Sequence, residues 1–215
     1  MALDSNLNEA QRSSWVGLKF RKGEEYRSHK IAELLPKDAD SVLDVGPAAT
    51  QVVFRQMFKS YRTVDLQNAD FNMDLLQDTR IPVSDKSFDL VILSHILEHL
   101  PFPDRLAREA KRISRKYVYV ALPNDHSIFA RIRFLLGIGS RNEIALYGHK
   151  YLFSAFSADK WVLKEFGPWS VRRASALRRG NLYVLIYQLG RLLVRVDENL
   201  FASEVAYVFD MRECG

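Results

Sequence analysis

A chain of 215 residues with 47% apolar and 27% charged side chains has the balance of one globular domain, which excludes disorder and a disulfide-built miniprotein. Its one cysteine, Cys214, rules out an internal disulfide and any cysteine-built metal site, and fits a reducing cytoplasm. The net charge of +5 hides an asymmetry: residues 1–100 hold 12 basic and 15 acidic groups, whereas residues 101–195 hold 18 and 6.

The first fifteen residues are polar, so no secretory leader is expected. Asn8 to Leu35 reads as mostly helical, with a break at Gly23. Ser41 to Gly46 is a short apolar run ending in a breaker, the pattern of a buried parallel strand. A helix over Gln51 to Phe58 and a strand over Tyr61 to Asp65 follow. Phe88–Leu93 and Tyr117–Leu122 are further strands. Between them an amphipathic helix is expected from Asp104 to Lys116, with Leu106, Ala107, Ala110 and Ile113 on its apolar face and Asp104 as N-cap.

Ser157 to Phe166 reads as a short helix stopped by Gly167-Pro168. Ser170–Ala174 and Val205–Met211 are two late strands, and the apolar stretch 181–199 between them reads as one long helix. Strands alternating with helices at this spacing predict an α/β, doubly wound sheet.

In such a sheet ligands gather beyond the carboxyl ends of the strands. Those ends hold Asp44, Gly46, Asp65, Asp74 and Ser94-His95. Carboxylates accept from hydroxyl and amino groups, and glycine lets a ligand approach the backbone closely.

The segments VLDVG (42–46), TVDL (63–66), NMDL (72–75) and above all IPVSDKSFDLVILSHILEHL (81–100) give the chain its resemblance to a known family. It resembles the class I S-adenosylmethionine-dependent methyltransferases, in the small-molecule branch called type 11, over about residues 24–167. The resemblance implies a Rossmann-like, mostly parallel seven-stranded sheet with helices on both faces, and here a helical insertion between the last two strands. One domain is expected, with 1–37 as a helical lid region, 38–123 as the cofactor-binding core and 124–215 as the acceptor side. S-adenosylmethionine is the implied cofactor. Asp65 would hold its ribose, Asp74 the adenine side, and Asp44 with Gly46 the methionine end. Ala48, Leu66, Leu75 and Ser94 complete the implied contacts.

One departure matters. The family's run D-x-G-x-G-x-G is reduced here to Asp44-Val45-Gly46-Pro47-Ala48-Ala49-Thr50. A non-catalytic binding or scaffold protein with weakened cofactor binding therefore stands as the alternative.

His95-Ile96-Leu97-Glu98-His99 also spells H-x-x-E-H, a signature of inverted zinc peptidases. On a helix His95 and His99 would share one face and suit a metal. Lying directly after a buried strand, the segment reads instead as lining of the acceptor pocket, with no metal assigned. His149, on a loop expected to arch over the site, is a candidate general base, and His126 a weaker one. The catalytic candidates are His95, His99 and His149.

The acceptor is constrained by exclusion. Ser94-His95-Ile96-Leu97 lacks the N-P-P-Y run of base amino-methylation, and Cys214 lies far from any core nucleophile position, so nucleic acid is not expected. The basic excess beyond residue 101 favours an anionic small-molecule or glycan acceptor. The stretch 181–199, with Arg191 and Arg195, offers a peripheral membrane contact or a homodimer face. The expected function is methyl transfer from S-adenosylmethionine to a small-molecule, lipid-linked or glycan acceptor, foremost at oxygen, in the cytoplasm.

Overall fold

The computed structural model describes residues 31–47, 51–136, 148–175 and 192–212. Seven strands form one sheet: β1 (Ser41–Val45), β2 (Ser60–Asp65), β3 (Phe71–Asn72), β4 (Phe88–Ser94), β5 (Ser114–Pro123), β6 (Val171–Ser175) and β7 (Glu204–Asp210). Their spatial order is β3-β2-β1-β4-β5-β7-β6. The first five pair in parallel, and β7 runs antiparallel between β5 and β6.

Five helices are described in full: α1 (Gln51–Met57), α2 (Pro103–Ile113), α3 (Ile128–Leu135), α4 (Ala155–Phe166) and α5 (Glu198–Phe201). Side-chain alternation along each strand sorts the core into two layers. Leu43, Val45, Val91, Leu93, Val118 and Val120 face α2 and α4, whose Leu106, Ala110, Ile113, Ala158 and Val162 join the same cluster. Val42, Leu90, Ile92, Tyr119 and Ala121 face the other way, onto Phe54 of α1 and onto Ile31 and Leu35. Every position of β4 is buried, as a strand covered on both faces must be. Each fully buried leucine or isoleucine in these layers contributes about 1.5–3 kcal/mol.

Several boundaries differ from the sequence reading, for local reasons. Helix α2 begins at Pro103, whose missing N–H costs nothing in the first turn, and Asp104 pairs with Arg108 at 2.8 Å instead of capping. It ends at Ile113, and β5 begins at the next residue, so Arg115 and Lys116 are strand residues. Arg115 there reaches the buried Asp89 at 2.8 Å. Helix α4 starts two residues early because Ser154 and Ser157 form a reciprocal cap. The expected single helix over 181–199 is not continuous. Residues 192–196 are helical, but Asp197 is extended (φ −151°, ψ 106°) and its side chain accepts the Leu200 N–H, opening α5. Residues 1–30, most of the expected lid, and 176–191 lie outside the described residues.

Much of the basic excess serves the fold. Arg112 forks onto Glu109 and Asp85, both at 2.6 Å, and Glu109 also accepts the Ile81 N–H. Arg172 pairs with Asp159 and Glu198. Since β5 starts at Ser114, Arg112, Arg115 and Lys116 sit at the amino ends of the parallel strands, opposite the edge where ligands bind.

Candidate active site

The carboxyl ends of β1, β2, β4 and β5 define the ligand edge. Just past β1, Gly46 adopts φ +68°, a left-handed conformation that glycine alone takes without strain, and its N–H bonds the Val64 carbonyl at 2.8 Å. A Cβ here would stand 2.9 Å from Ile96 Cδ1. The one glycine retained from the degenerate motif is thus the one this turn requires. Ala48 lies outside the described residues.

Asp44 sits inside β1, fully buried, and accepts from the Tyr61 hydroxyl at 2.6 Å. Burial together with Asp44 pushes the Tyr61 hydroxyl well above its ordinary range, so Tyr61 remains a donor to Asp44. Asp65, half-buried at the end of β2, uses Oδ1 to accept the Leu66 N–H at 2.7 Å. Leu66 beside it is 47% exposed and offers an apolar surface. Asp74 accepts from the Leu76 N–H and the Gln77 side chain, shaping the turn after β3. Leu75 is buried in the core, so only its backbone can face a ligand. Ser94 ends β4, buried and in register with Ala121.

His95 is not helical. It takes φ +55° and donates its N–H to the Ala121 carbonyl, and the following 3-10 turn spans only Leu97–His99. His95 and His99 therefore do not share a helical face, which removes the i,i+4 metal arrangement. Instead the His95 ring lies between two carboxylates, with Nε2 3.1 Å from Glu204 Oε2 and Nδ1 3.4 Å from Glu98 Oε1.

His99 meets His149. Their rings pack edge to face with centroids 4.9 Å apart. The segment carrying His149 is clipped to the 3-10 turn, because the Lys150 and Tyr151 N–H groups both donate to the Glu98 carbonyl, at 2.6 and 3.2 Å. His149 is 5% exposed, and its Nδ1 lies 3.1 Å from each oxygen of Asp125. An ionised carboxylate only accepts, so Nδ1 carries a proton, and Nε2 faces Glu98 Oε1, 4.0 Å away. His126 is exposed and joins none of this.

Three members of the cluster were not among the residues singled out as catalytic: Glu98, Asp125 and Glu204. Asp125 had a usable signal, since it stands at the carboxyl end of β5. Glu204 had none, because it opens a strand 109 residues from His95.

The donor set at β1 to β3 fits the implied cofactor. Asp65 stands half-buried at the strand end with the exposed Leu66 beside it as an apolar surface for a heterocycle, while the Ile96 side chain fills the space a Cβ on Gly46 would take. Residues 19–167 match the family model described as "Methyltransferase domain". Among curated proteins no sequence matches significantly.

Solved structures share the architecture. A SAM-dependent methyltransferase from Archaeoglobus fulgidus superposes with TM-score 0.56 at 17% identity, over 91% of this chain and 99% of that one. One from Thermotoga maritima gives 0.61 at 14%, over 94% and 96%. The [4+2]-cyclase SpnF gives 0.53 at 13%, over 86% and 79%, so the fold alone does not dictate the reaction. The family match covers more than half of the sequence and brings the motifs with it. The chain belongs to the methyltransferase-domain family, as a class I S-adenosylmethionine-dependent methyltransferase.

Proposed function

We propose that the methyl group goes to a hydroxyl oxygen of a small-molecule, lipid-linked or glycan acceptor. The observation that carries this reading is the Glu98–His99–His149 cluster beyond β4, with Glu98 and His149 buried and His99 half-buried, on the same sheet edge as Gly46 and Asp65. When bound, S-adenosylmethionine supplies a methyl already activated on a sulfonium, so the protein's task is alignment. A hydroxyl directed into the cluster would donate to Glu98 or His149 Nε2, which would take its proton as the oxygen gains the methyl and the sulfonium leaves as a neutral thioether. Asp125 holds the His149 ring so that Nε2, not Nδ1, faces that position.

The surrounding surface supports an acceptor with apolar parts. Phe102, Tyr151, Leu152 and Phe156 are 53%, 42%, 54% and 58% exposed along the segments that flank the cluster. Arg105 lies over the Phe102 ring at 4.4 Å and Lys160 over Phe156 at 4.4 Å, so cations accompany this apolar surface. That pairing suits an acceptor with an acidic group.

The test is transfer of isotopically labelled methyl to a panel of hydroxylated small molecules, glycans and lipid-linked sugars, with amines and RNA alongside. The carbon shift of the labelled methyl reports the atom bonded to it. An O-methyl product supports the reading, and transfer only to nitrogen, carbon or nucleic acid overturns it.

A further inference from the structure

Glu98 poses a problem that the fold does not solve. Its side chain is completely buried, yet among the described residues neither carboxylate oxygen accepts a hydrogen bond. His95 Nδ1 stands 3.4 Å from Oε1, and among the described residues no donor makes a hydrogen bond to Oε2. A buried carboxylate so poorly satisfied is costly, and such groups are commonly paired with an ion or ordered water. Its neighbours add negative charge. The side chains of Glu98, Asp125 and Glu204 are 0%, 9% and 10% exposed, and all three lie around the His95, His99 and His149 imidazoles.

From this geometry we infer that Glu98, His99 and His149 form a site for one borderline divalent cation of the zinc class. One donor atom from each of the three lies within 4.8 Å of the other two. Zinc draws imidazole nitrogen and carboxylate oxygen to about 2.0–2.2 Å, which sets tetrahedral donors roughly 3.3 Å apart. His149 Nε2 and Glu98 Oε1 stand 4.0 Å apart, so modest side-chain rotation closes the site.

The supporting contacts match. His149 presents Nε2 because Asp125 holds Nδ1 with both oxygens, the carboxylate–histidine arrangement that fixes ring orientation and raises ligand basicity at zinc sites. The two amide bonds from Lys150 and Tyr151 to the Glu98 carbonyl lock the ligand-bearing segments together. Two imidazoles and one carboxylate favour zinc or cobalt over magnesium, which takes oxygen ligands. Three protein ligands leave a fourth position open. With the ion bound, Glu98 and His149 Nε2 ligate it instead of accepting from the hydroxyl, and the acceptor oxygen takes the open position. That placement rests on the oxygen-methylation reading above, whereas the metal site itself does not.

The experiment uses untagged, chelator-treated full-length protein, titrated with Zn2+, Co2+ and Mg2+ by calorimetry, with stoichiometry read by elemental analysis. One Zn2+ per chain is expected, with Co2+ giving the absorption of a four- or five-coordinate ion and Mg2+ binding at least 100-fold more weakly. Glu98→Gln, nearly isosteric, and His99→Asn are each expected to lower zinc affinity 100-fold or more, while His126→Asn leaves it unchanged. Circular dichroism establishes that each variant folds. Failure of the folded wild type to take up stoichiometric zinc overturns the site, and so does zinc binding that survives Glu98→Gln and His99→Asn. Parallel titration with S-adenosylhomocysteine keeps the two readings apart. Cofactor-product binding without zinc sinks only the metal site, whereas zinc binding with an N-methyl product sinks only the oxygen assignment.

Discussion

Asp125 faces His149 Nδ1 with both carboxylate oxygens at 3.1 Å, across two segments that meet only beyond the ends of β4 and β5. The pairing fixes which ring nitrogen looks into the Glu98–His99 cluster. Asp125→Asn keeps the shape but lets the amide donate as well as accept, so the ring loses its single orientation. Methyl transfer is expected to fall about 10–100-fold, with S-adenosylhomocysteine affinity within about twofold of wild type. Steady-state kinetics and calorimetry on the same preparation check both halves. A variant with unchanged kcat and KM would show that the pair is only structural.

Gly46 is a second pressure point. Gly46→Ala places a side chain at φ +68°, which costs an L-residue roughly 1–2 kcal/mol, and sets a Cβ 2.9 Å from the flexible end of Ile96. The backbone term dominates because Ile96 Cδ1 can move. The variant should lose about 1–2 kcal/mol in urea denaturation and bind cofactor product more weakly. Adding Ile96→Val should restore little of the loss. Full recovery by that second change would shift the cause to the steric contact.

Asp65 tests the cofactor side. Its carboxylate makes one local bond, to the Leu66 N–H, so Asp65→Ala should hardly change stability. On our proposal that Asp65 accepts from the ribose hydroxyls, its loss is worth about 1.5–3 kcal/mol, or roughly 10–100-fold in affinity. Calorimetric titration with S-adenosylhomocysteine measures this. Affinity equal to wild type would place the ribose elsewhere.

Asp89 governs acid stability. Burial opposes its ionisation, but hydrogen bonds from Arg115 and from the Asp40 and Ser41 amides outweigh burial and hold its pKa at about 2. The unfolded value is near 3.9, so the folded state binds the proton less tightly. This stabilisation is therefore fully present above about pH 4 and is lost as pH falls towards 2. It amounts to about 2–3 kcal/mol. Asp89→Asn should be less stable by about that amount at pH 6 and show a flatter stability profile between pH 5 and 2. A wild-type profile no steeper than the variant's would contradict the assignment.

How much of this was legible in the sequence depends on how far each feature reaches along the chain. The unbroken apolar runs of β1 and β4, buried on both faces, and the Leu106, Ala107, Ala110, Ile113 stripe of α2 are signals contained within one element. The same local logic located Gly46 at the end of β1 and Asp65 at the end of β2. The junction between α2 and β5 escaped it, because Arg115 leaves the helix for a contact with Asp89, 26 positions away.

The Glu98–His99–His149 cluster was legible only in part, as separate candidates along the chain. The sequence by itself determined that His95, Glu98 and His99 follow a buried strand, and so stand at the ligand edge of the sheet. Only the tertiary structure decided that His95 bridges Glu98 and Glu204, the latter 109 positions on, while His149 and Asp125 close on Glu98 and His99. Spacing along a chain specifies a helical or strand face, but it carries no information about which distant segments pack together. Here the left-handed turn at His95 and the two amide bonds to the Glu98 carbonyl make that choice.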